Sequence, residues 1–520
     1  MTSSEKPPSE PSFSKAVEEA TELLEAIIAN PGLLAPLEAQ ERHRLFKAAG
    51  RVARPEAKGK RLYNKAKQKR TKAMRIAEEE AHREATGIRR KRKESVFQTP
   101  SLPPPRETLE AEDLENPGEG EPLRLTSNRH CYICKTQFEE LHHFYDQMCP
   151  ACAEFNYIKR SQKADLKGRR ALITGSRVKI GYQAAILMLR SGAEVLCTTR
   201  FPKDAASRYA REEDFEDWKS RLHIYGLDLR HTPSVEAFCA HLLEQGEALD
   251  FIINNACQTV RRPPAFYKHL MEGEARSGET LLPACKALLG AYESLRAKAM
   301  HQLPGTENTA ERLTHTQGLT HAPNLAQMAL LPEDLQENAD ALFPSGALDA
   351  DLQQVDLREK NSWRLRLAEV STVELLEVHL VNALAPYVLN ARLKPLMLQR
   401  KSRDKHIVNV SAVEGQFYRA LKTDKHPHTN MAKAALNMMT RTSAKDYVRD
   451  GIHMNAVDTG WVTDEDPAEI TERKKAEQRF SPPLDIVDGA ARIADPIMHG
   501  MNTSEHIWGK FIKDYKPTDW

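Results

Sequence analysis

Four cysteines, Cys131, Cys134, Cys149 and Cys152, stand in "CYICKTQFEELHHFYDQMCPAC" as C-x2-C, fourteen residues, C-x2-C. Two tight knuckles at this spacing converge four thiolates tetrahedrally on one Zn²⁺. Four unliganded thiols would leave unexplained why so short and core-poor a stretch folds. His130, His142 and His143 are reserve ligands, but four thiolates complete the set and leave no coordination position open. The expected metal is therefore structural, clamping a zinc ribbon that binds protein, nucleic acid or the adjacent domain. Cys197, Cys239, Cys257 and Cys285 are scattered, so metal binding fits the cysteine pattern better than disulfides.

A second group of residues could bind a phosphate. "RRALITGSRVKIGYQAA" reads as a strand running into a helix, with Gly175 for the turn and Gly181 for close strand-helix packing. A lone glycine pattern is weak, but "EVLCTTR", "GLDLR" and "LDFIINNA" follow as further strands separated by helical pieces. That alternation implies βαβ units and a parallel sheet.

Together these segments resemble the short-chain dehydrogenase/reductase family. Its signatures are TGxxxGxG, an acid on the third strand, NNAG, a helical Asn, a Ser, YxxxK and a late PG. The resemblance spans roughly 168–260 and 366–515. It implies a Rossmann-type doubly wound α/β fold with NADP(H) or NAD(H) as cofactor. It places Gly175, Ile180 and Gly181 at the phosphates, Asp228 and Leu229 beside the adenine, and Asn254, Asn255 and Ala256 beside the adenosine ribose. Asn382 matches the helical Asn that holds a proton-relay water, Lys433 the lysine on the nicotinamide ribose, and Thr459 with Gly460 the segment near the nicotinamide. Thr199 sits where NAD users keep an acid, and Arg200 follows it; an Arg without a carboxylate suits a 2′-phosphate. Lys179 replaces the middle glycine and offers a further point charge. NADP(H) is the expected cofactor.

The departures gather at the chemistry. In "KHPHTNMAK" Thr429 stands four before Lys433, where the family keeps its tyrosine, and an aliphatic hydroxyl is far from the pKa range of an effective general acid. "VNVSA" offers Ser411 followed by Ala412, with the family serine usually aligned to the second. The loop between carries Tyr418, His426 and His428, any of which could supply the proton, or which merely pack and decorate the loop. Two functions stay open: an NADP(H)-dependent oxidoreductase acting on a small carbonyl or alcohol through Asn382, Ser411, Tyr418, Thr429 and Lys433, or a catalytically silent NADP(H)-binding scaffold or redox sensor.

These residues need elements to hold them. At 520 residues, 40% hydrophobic and 28% charged, the chain can form a large core with smaller modules. We read a helical, basic arm over 1–94, a Pro/Glu/Gly-rich linker over 95–125, a four-cysteine module over 126–160 with zinc-ribbon or RING-like spacing, and a Rossmann domain over 166–515 with a helical insertion at 261–365. The net charge is +2, yet residues 51–93 carry 17 Lys/Arg against 5 Glu. That segregation suits a protein or nucleic-acid partner for the arm. No run of 18 apolar residues and no signal-like start appear, so a cytoplasmic location, no membrane contact and a homo-oligomer built through the Rossmann domain are the expectations.

Overall fold

The computed structural model describes residues 10–93, 123–276, 280–301, 316–335, 338–349, 351–418 and 422–520. Most of the expected linker over 95–125 lies outside them. The chain divides into two units, Met1–Glu80 and Ala81–Trp520. In the first, three helices follow one another: α1 (Glu10–Ala29), α2 (Ala39–Ala53) and α3 (Ala57–Glu84). None of residues 13–78 is buried, because their apolar residues are too few and too dispersed to build a core.

The second unit begins with residues the sequence reading assigned to the basic arm. A short helix, Gly87–Lys91, hydrogen-bonds through the Gly87 and Ile88 amides to the His143 and Phe144 carbonyls, and Ile88 is buried among the apolar residues of the cysteine module. Residues 81–93 thus belong to that module. Its framework is a hairpin, β1 (Arg124–His130) with β2 (Gln137–Glu140), followed by α4 (Pro150–Arg160).

The main body is one eight-stranded sheet. Its strands are β3 (Arg170–Thr174), β4 (Glu194–Thr199), β5 (Leu222–Gly226), β6 (Phe251–Asn254), β7 (Lys405–Ser411), β8 (Ile452–Asp458), β9 (Phe511–Lys513) and β10 (Lys516–Thr518), in the order β10-β9-β8-β7-β6-β3-β4-β5. All pairings are parallel except β9 with β10. β3, β6, β7 and β8 are buried along their whole length, which is why Ala171–Ile173 and Phe251–Ile253 run apolar rather than alternating, while β7 and β8 carry buried polar residues such as His406, Asn409 and Asn455. Helices cover both faces: α5 (Lys179–Arg190), α6 (Pro202–Tyr209) and α7 (Thr232–Gln245) before the insertion, and further helices after it. The chain moves from β3 outward to β5, then crosses to β6 on the other side. This reversal opens a crevice at the carboxyl ends of β3 and β6.

The insertion has two tasks. α8 (Pro264–Ala275) carries Phe266, Tyr267 and Leu270 into a small core with Phe201, Ala326 and Phe343. In α9 (Pro283–His301), Leu288, Leu289, Tyr292 and Leu295 join the main core beside edge strand β5. Gly226 is required there, since a Cβ would stand 2.2 Å from the Tyr292 hydroxyl.

After the insertion, α10 (Thr372–His379) runs through a π-turn, Leu380–Leu384, into α11 (Ala385–Leu398). This stretch has the length and mean hydropathy of a membrane span, 1.2, but half of it is buried within the protein, with Leu389, Leu393 and Leu396 in the main core. Three long helices follow: α12 (Pro427–Tyr447), α13 (Ala468–Gln478) and α14 (Ile486–Thr503).

Candidate functional site

The crevice is a cleft of about 600 Å³. Gly175 begins it in the left-handed region, φ +68°, and a Cβ there would stand 2.7 Å from Ala256 Cα. At Gly181 a Cβ would lie 2.2 Å from the Asn255 amide nitrogen and 2.4 Å from the Gly175 carbonyl. Asn255 Nδ2 donates to the Thr174 and Gly175 carbonyls, each at 3.1 Å, and the Ala256 amide donates to Thr174 Oγ1 at 3.0 Å. The glycines therefore let the β3 turn, the start of α5 and the end of β6 close on one another. Lys179 opens α5 with φ +56°. A side chain in that conformation costs about 1–2 kcal/mol, which glycine would avoid. Its charge acts on the far wall: burial pushes Glu465 upward, but Lys179, the Thr463 hydroxyl and Arg262 together outweigh it and hold that carboxyl below its usual range.

At the end of β4, Thr199 is consumed locally, its Oγ1 accepting from the Phe201 amide at 3.1 Å. Arg200 donates to the Tyr267 hydroxyl at 2.6 Å and lies 4.6 Å from that ring's centre. Arg177, which sequence reading passed over, lies 5.5 Å from the centre of the Phe201 ring, with Arg200 5.7 Å from the same ring. Burial pulls the Arg177 guanidinium below its ordinary range, against the opposing charge of Asp204 at 2.7 Å. A cation two residues after the turn glycine was the available signal. Both arginines line the cleft, as do Lys179, Ile180, Asp228 and Leu229. The Asp228 carboxylate is gripped by Arg230 at 2.6 Å, which overcomes burial and keeps it ionised, so this side chain is already engaged.

Of the expected catalytic residues, Ser411 and Lys433 meet where β7 packs on α12, off the cleft wall. Ser411, Thr429 and Lys433 are buried and none lines the cleft. Ser411 donates to Asn437 Oδ1 at 2.6 Å, and Lys433 Nζ donates to the Val410 carbonyl at 2.8 Å. The Thr429 hydroxyl has no hydrogen-bond partner. Asn382, in the π-turn, clamps the loop after β6: its Oδ1 accepts from the Gln258 amide at 2.7 Å and its Nδ2 donates to the Gln258 carbonyl at 3.1 Å. Thr459 and Gly460 also lie off the cleft. Arg492 donates to the Thr459 carbonyl at 3.2 Å and fills the space beside Gly460, whose Cβ would be 1.9 Å from Nη1. The cleft wall is formed instead by the next residues, Val462 to Pro467.

The three candidate proton donors separate clearly. Tyr418 is 57% exposed. His426 stacks on Trp363 with ring centres 3.8 Å apart and planes 4° from parallel; burial, reinforced by His428, pushes its pKa down to about 4. His428 is 1% exposed, with Nε2 3.3 Å from a Glu374 oxygen, and neither ring nitrogen has a hydrogen-bond partner.

The cysteine cluster assembles as its spacing predicts. The four Sγ atoms lie within 4.8 Å of one another, and those of Cys134 and Cys149 are 3.6 Å apart. Tetrahedral Zn–S bonds of about 2.3 Å require sulfur–sulfur separations of about 3.8 Å, so the donor set fits the ion. Lys135, at φ +64°, turns the first knuckle, and Cys149 with Pro150 begins α4 at the second. The reserve histidines are engaged elsewhere: His130 Nδ1 meets the Lys135 carbonyl at 3.0 Å, and His142 Nε2 lies 3.2 Å from Glu154.

This module is built into the cleft's frame. Val462, Ile486 and Ile180 line the cleft and also pack with Phe144, Tyr145 and Met148 of the module. Arg160 on α4 reaches Asp485 Oδ1 and Oδ2 at 2.6 and 2.9 Å and Asp488 at 2.8 Å, at the start of α14. Arg492 Nη2 meets Asn156 at 3.0 Å, and the Trp461 amide donates to the Tyr132 hydroxyl at 3.0 Å.

Comparison with known proteins agrees with this architecture. Residues 169–270 match the short chain dehydrogenase family model, and residues 345–485 match the enoyl-(acyl carrier protein) reductase model. The stretch between them falls within the insertion. A protein of Acanthamoeba polyphaga mimivirus is 30% identical over 404 residues, 75% of this chain and 76% of that one. Human retinol dehydrogenase 13 is 31% identical over 96 residues, and the Drosophila melanogaster WW domain-containing oxidoreductase 36% over 95 residues. Each of these two matches spans 18% of this chain but only 28% and 23% of the relative. Among solved structures, the NADPH-bound carbonyl reductase from chicken fatty liver is 17% identical with a TM-score of 0.40, covering 70% of this chain and 98% of that one. By the matched family models, the glycine turn and the reversal of strand order, residues 169–270 and 345–485 are similar to the short-chain dehydrogenase family.

Proposed function

We propose that the protein is an NADP(H)-dependent oxidoreductase acting on a small carbonyl or alcohol compound, with Thr429 in place of the family tyrosine. The observation that carries the cofactor choice is the pair Arg177 and Arg200, 5.5 and 5.7 Å from the centre of the Phe201 ring, with Thr199 where a carboxylate would repel a 2′-phosphate. The turn at Gly175 and the first amides of α5 offer donors to a pyrophosphate. When bound, the dinucleotide supplies or accepts hydride at its nicotinamide ring. Thr429 lacks the acidity for the accompanying proton. We assign that proton to His428: it adjoins Thr429 in the chain, sits against Glu374, and is buried where Tyr418 is exposed. Asn382 and Lys433 act as positioning residues through Gln258 and Val410. Zn²⁺ on Cys131, Cys134, Cys149 and Cys152 has a structural role, holding the module that frames the cleft.

The test is calorimetric titration of NADPH and NADH into wild type and an Arg177→Ala/Arg200→Ala double variant. Wild type should prefer NADPH at least tenfold, and the double variant should lose that preference. Equal affinities in wild type would overturn the cofactor assignment. Tight NADPH binding with no oxidation across a panel of aldehydes and ketones would instead assign the chain as a silent nucleotide-binding scaffold or redox sensor.

A further inference from the structure

The nucleotide cleft makes no use of α3. Over residues 57–77 this helix carries nine Lys and Arg and no Asp or Glu, the nearest acids being Glu56 and Glu78. Every residue from 60 to 75 is exposed. A helical stretch that buries no side chain is marginal in water, and residues 57–77 are further burdened by like charges along their length. Such a segment is accounted for by a polyanion that neutralises it.

The arrangement of the cations selects the polyanion. Lys58, Arg61, Lys65, Lys69 and Lys72 are spaced 3, 4, 4 and 3 residues apart, so they form one stripe. Lys60 and Lys67, seven residues apart, lie on the opposite side. Charge on both flanks suits a helix with phosphates on either hand, which is the environment of the B-DNA major groove. That groove is about 12 Å wide and admits a helix about 10–12 Å in diameter. The major groove of A-form RNA is too deep and narrow to admit one. A membrane-surface helix needs an apolar face, and a protein interface needs clustered aromatic or aliphatic anchors; Leu62, Tyr63 and Met74 form no continuous stripe. With one aromatic, Tyr63, and only Asn64 and Gln68 as amide side chains against nine cations, the contact is carried by the backbone phosphates and is independent of sequence.

We infer that α3 is a sequence-independent binding element for duplex DNA, lying in the major groove and neutralising phosphates on both walls. The inference stands independently of the oxidoreductase reading. The test uses the full chain, a fluorescein-labelled 20-base-pair DNA duplex and anisotropy between 50 and 200 mM NaCl. Five phosphate contacts give a slope of log K against log[salt] of about −4.5, or roughly a 500-fold loss across that range. Replacing Lys58, Arg61, Lys65, Lys69 and Lys72 with Gln, a good helix former, should flatten the slope by about 4.5 and weaken binding at 50 mM salt more than 100-fold. Circular dichroism and zinc content should not change. No saturable binding at 50 mM salt, or equal binding by the variant, would overturn the inference. So would duplex RNA, polyglutamate or phosphatidylserine vesicles bound as tightly as the DNA.

Discussion

Replacing Arg160 with Ala isolates the joint between the cysteine module and the cleft. Arg160 is buried and serves two buried carboxylates, Asp485 at two points and Asp488 at 2.8 Å, while its guanidinium lies 4.5 Å from the centre of the Phe144 ring. Removing one partner of a buried ion pair costs about 3–5 kcal/mol, because the other charge is left uncompensated. Both carboxylates keep partners at the start of α14: Asp485 accepts from the Val487 and Asp488 amides at 2.9 and 3.0 Å, and Asp488 accepts from the Asp485 amide at 2.9 Å and from the Tyr145 hydroxyl. The loss should therefore fall at the low end, about 3 kcal/mol. It should also depend on pH. Burial already raises Asp488 against the pull of Arg160, whereas Asp485, gripped at two points, is held down despite its burial. Without Arg160 both are raised above their unfolded values, so the variant regains stability as pH falls and a carboxyl takes up a proton. Urea unfolding of wild type and variant at pH 7.5 and 5.5 should show a smaller difference at the lower pH. NADPH affinity should fall about tenfold, because Ile486 in the same turn lines the cleft. A loss below 1 kcal/mol that is equal at both pH values, with unchanged NADPH affinity, would refute the coupling.

Metal analysis should find one Zn²⁺ per chain in wild type and none held tightly in Cys149→Ser, whose thermal unfolding should move to lower temperature; full metal content in that variant removes the assignment. If His428 carries the proton, His428→Gln should cut turnover by roughly 10² to 10⁴ while Tyr418→Phe changes it less than twofold, both with wild-type NADPH affinity. The reverse order of effects would move the acid to Tyr418. His426, with a folded pKa of about 4, binds fewer protons folded than unfolded. Its contribution is full above about pH 6.5 and is lost as pH falls toward 4. Wild type minus His426→Gln stability, followed by urea unfolding, should decline across that window, and a flat difference would contradict the burial argument.

Local signals in the sequence were enough for the parts of the molecule whose geometry is set by neighbours along the chain. The C-x2-C knuckles, the turn at Gly175 and the strands β3, β4 and β6 depend on spacing and period and form where the sequence places them, while the strand expected at "GLDLR" lies earlier, at Leu222–Gly226. Ser411 and Lys433, two residues that the family resemblance singles out, meet where β7 packs on α12. What those side chains do there was not legible. Hydrogen bonds tie Lys433 to Val410, Ser411 to Asn437 and Asn382 to Gln258. Each partner comes from a different register of the sheet or helix layer, so no spacing in the sequence encodes it. Arg177 was missed for the same reason: its position between Asp204 and Phe201 exists only once β3 and α6 are packed together. The residues that frame the cleft from outside, Arg160 against Asp485 and Arg492 against Thr459 and Asn156, are separated by more than three hundred residues in two of these three contacts. Tertiary packing alone decides that the cysteine module is a wall of the Rossmann-type domain, because its apolar residues find their burial partners in Val462, Leu484 and Ile486.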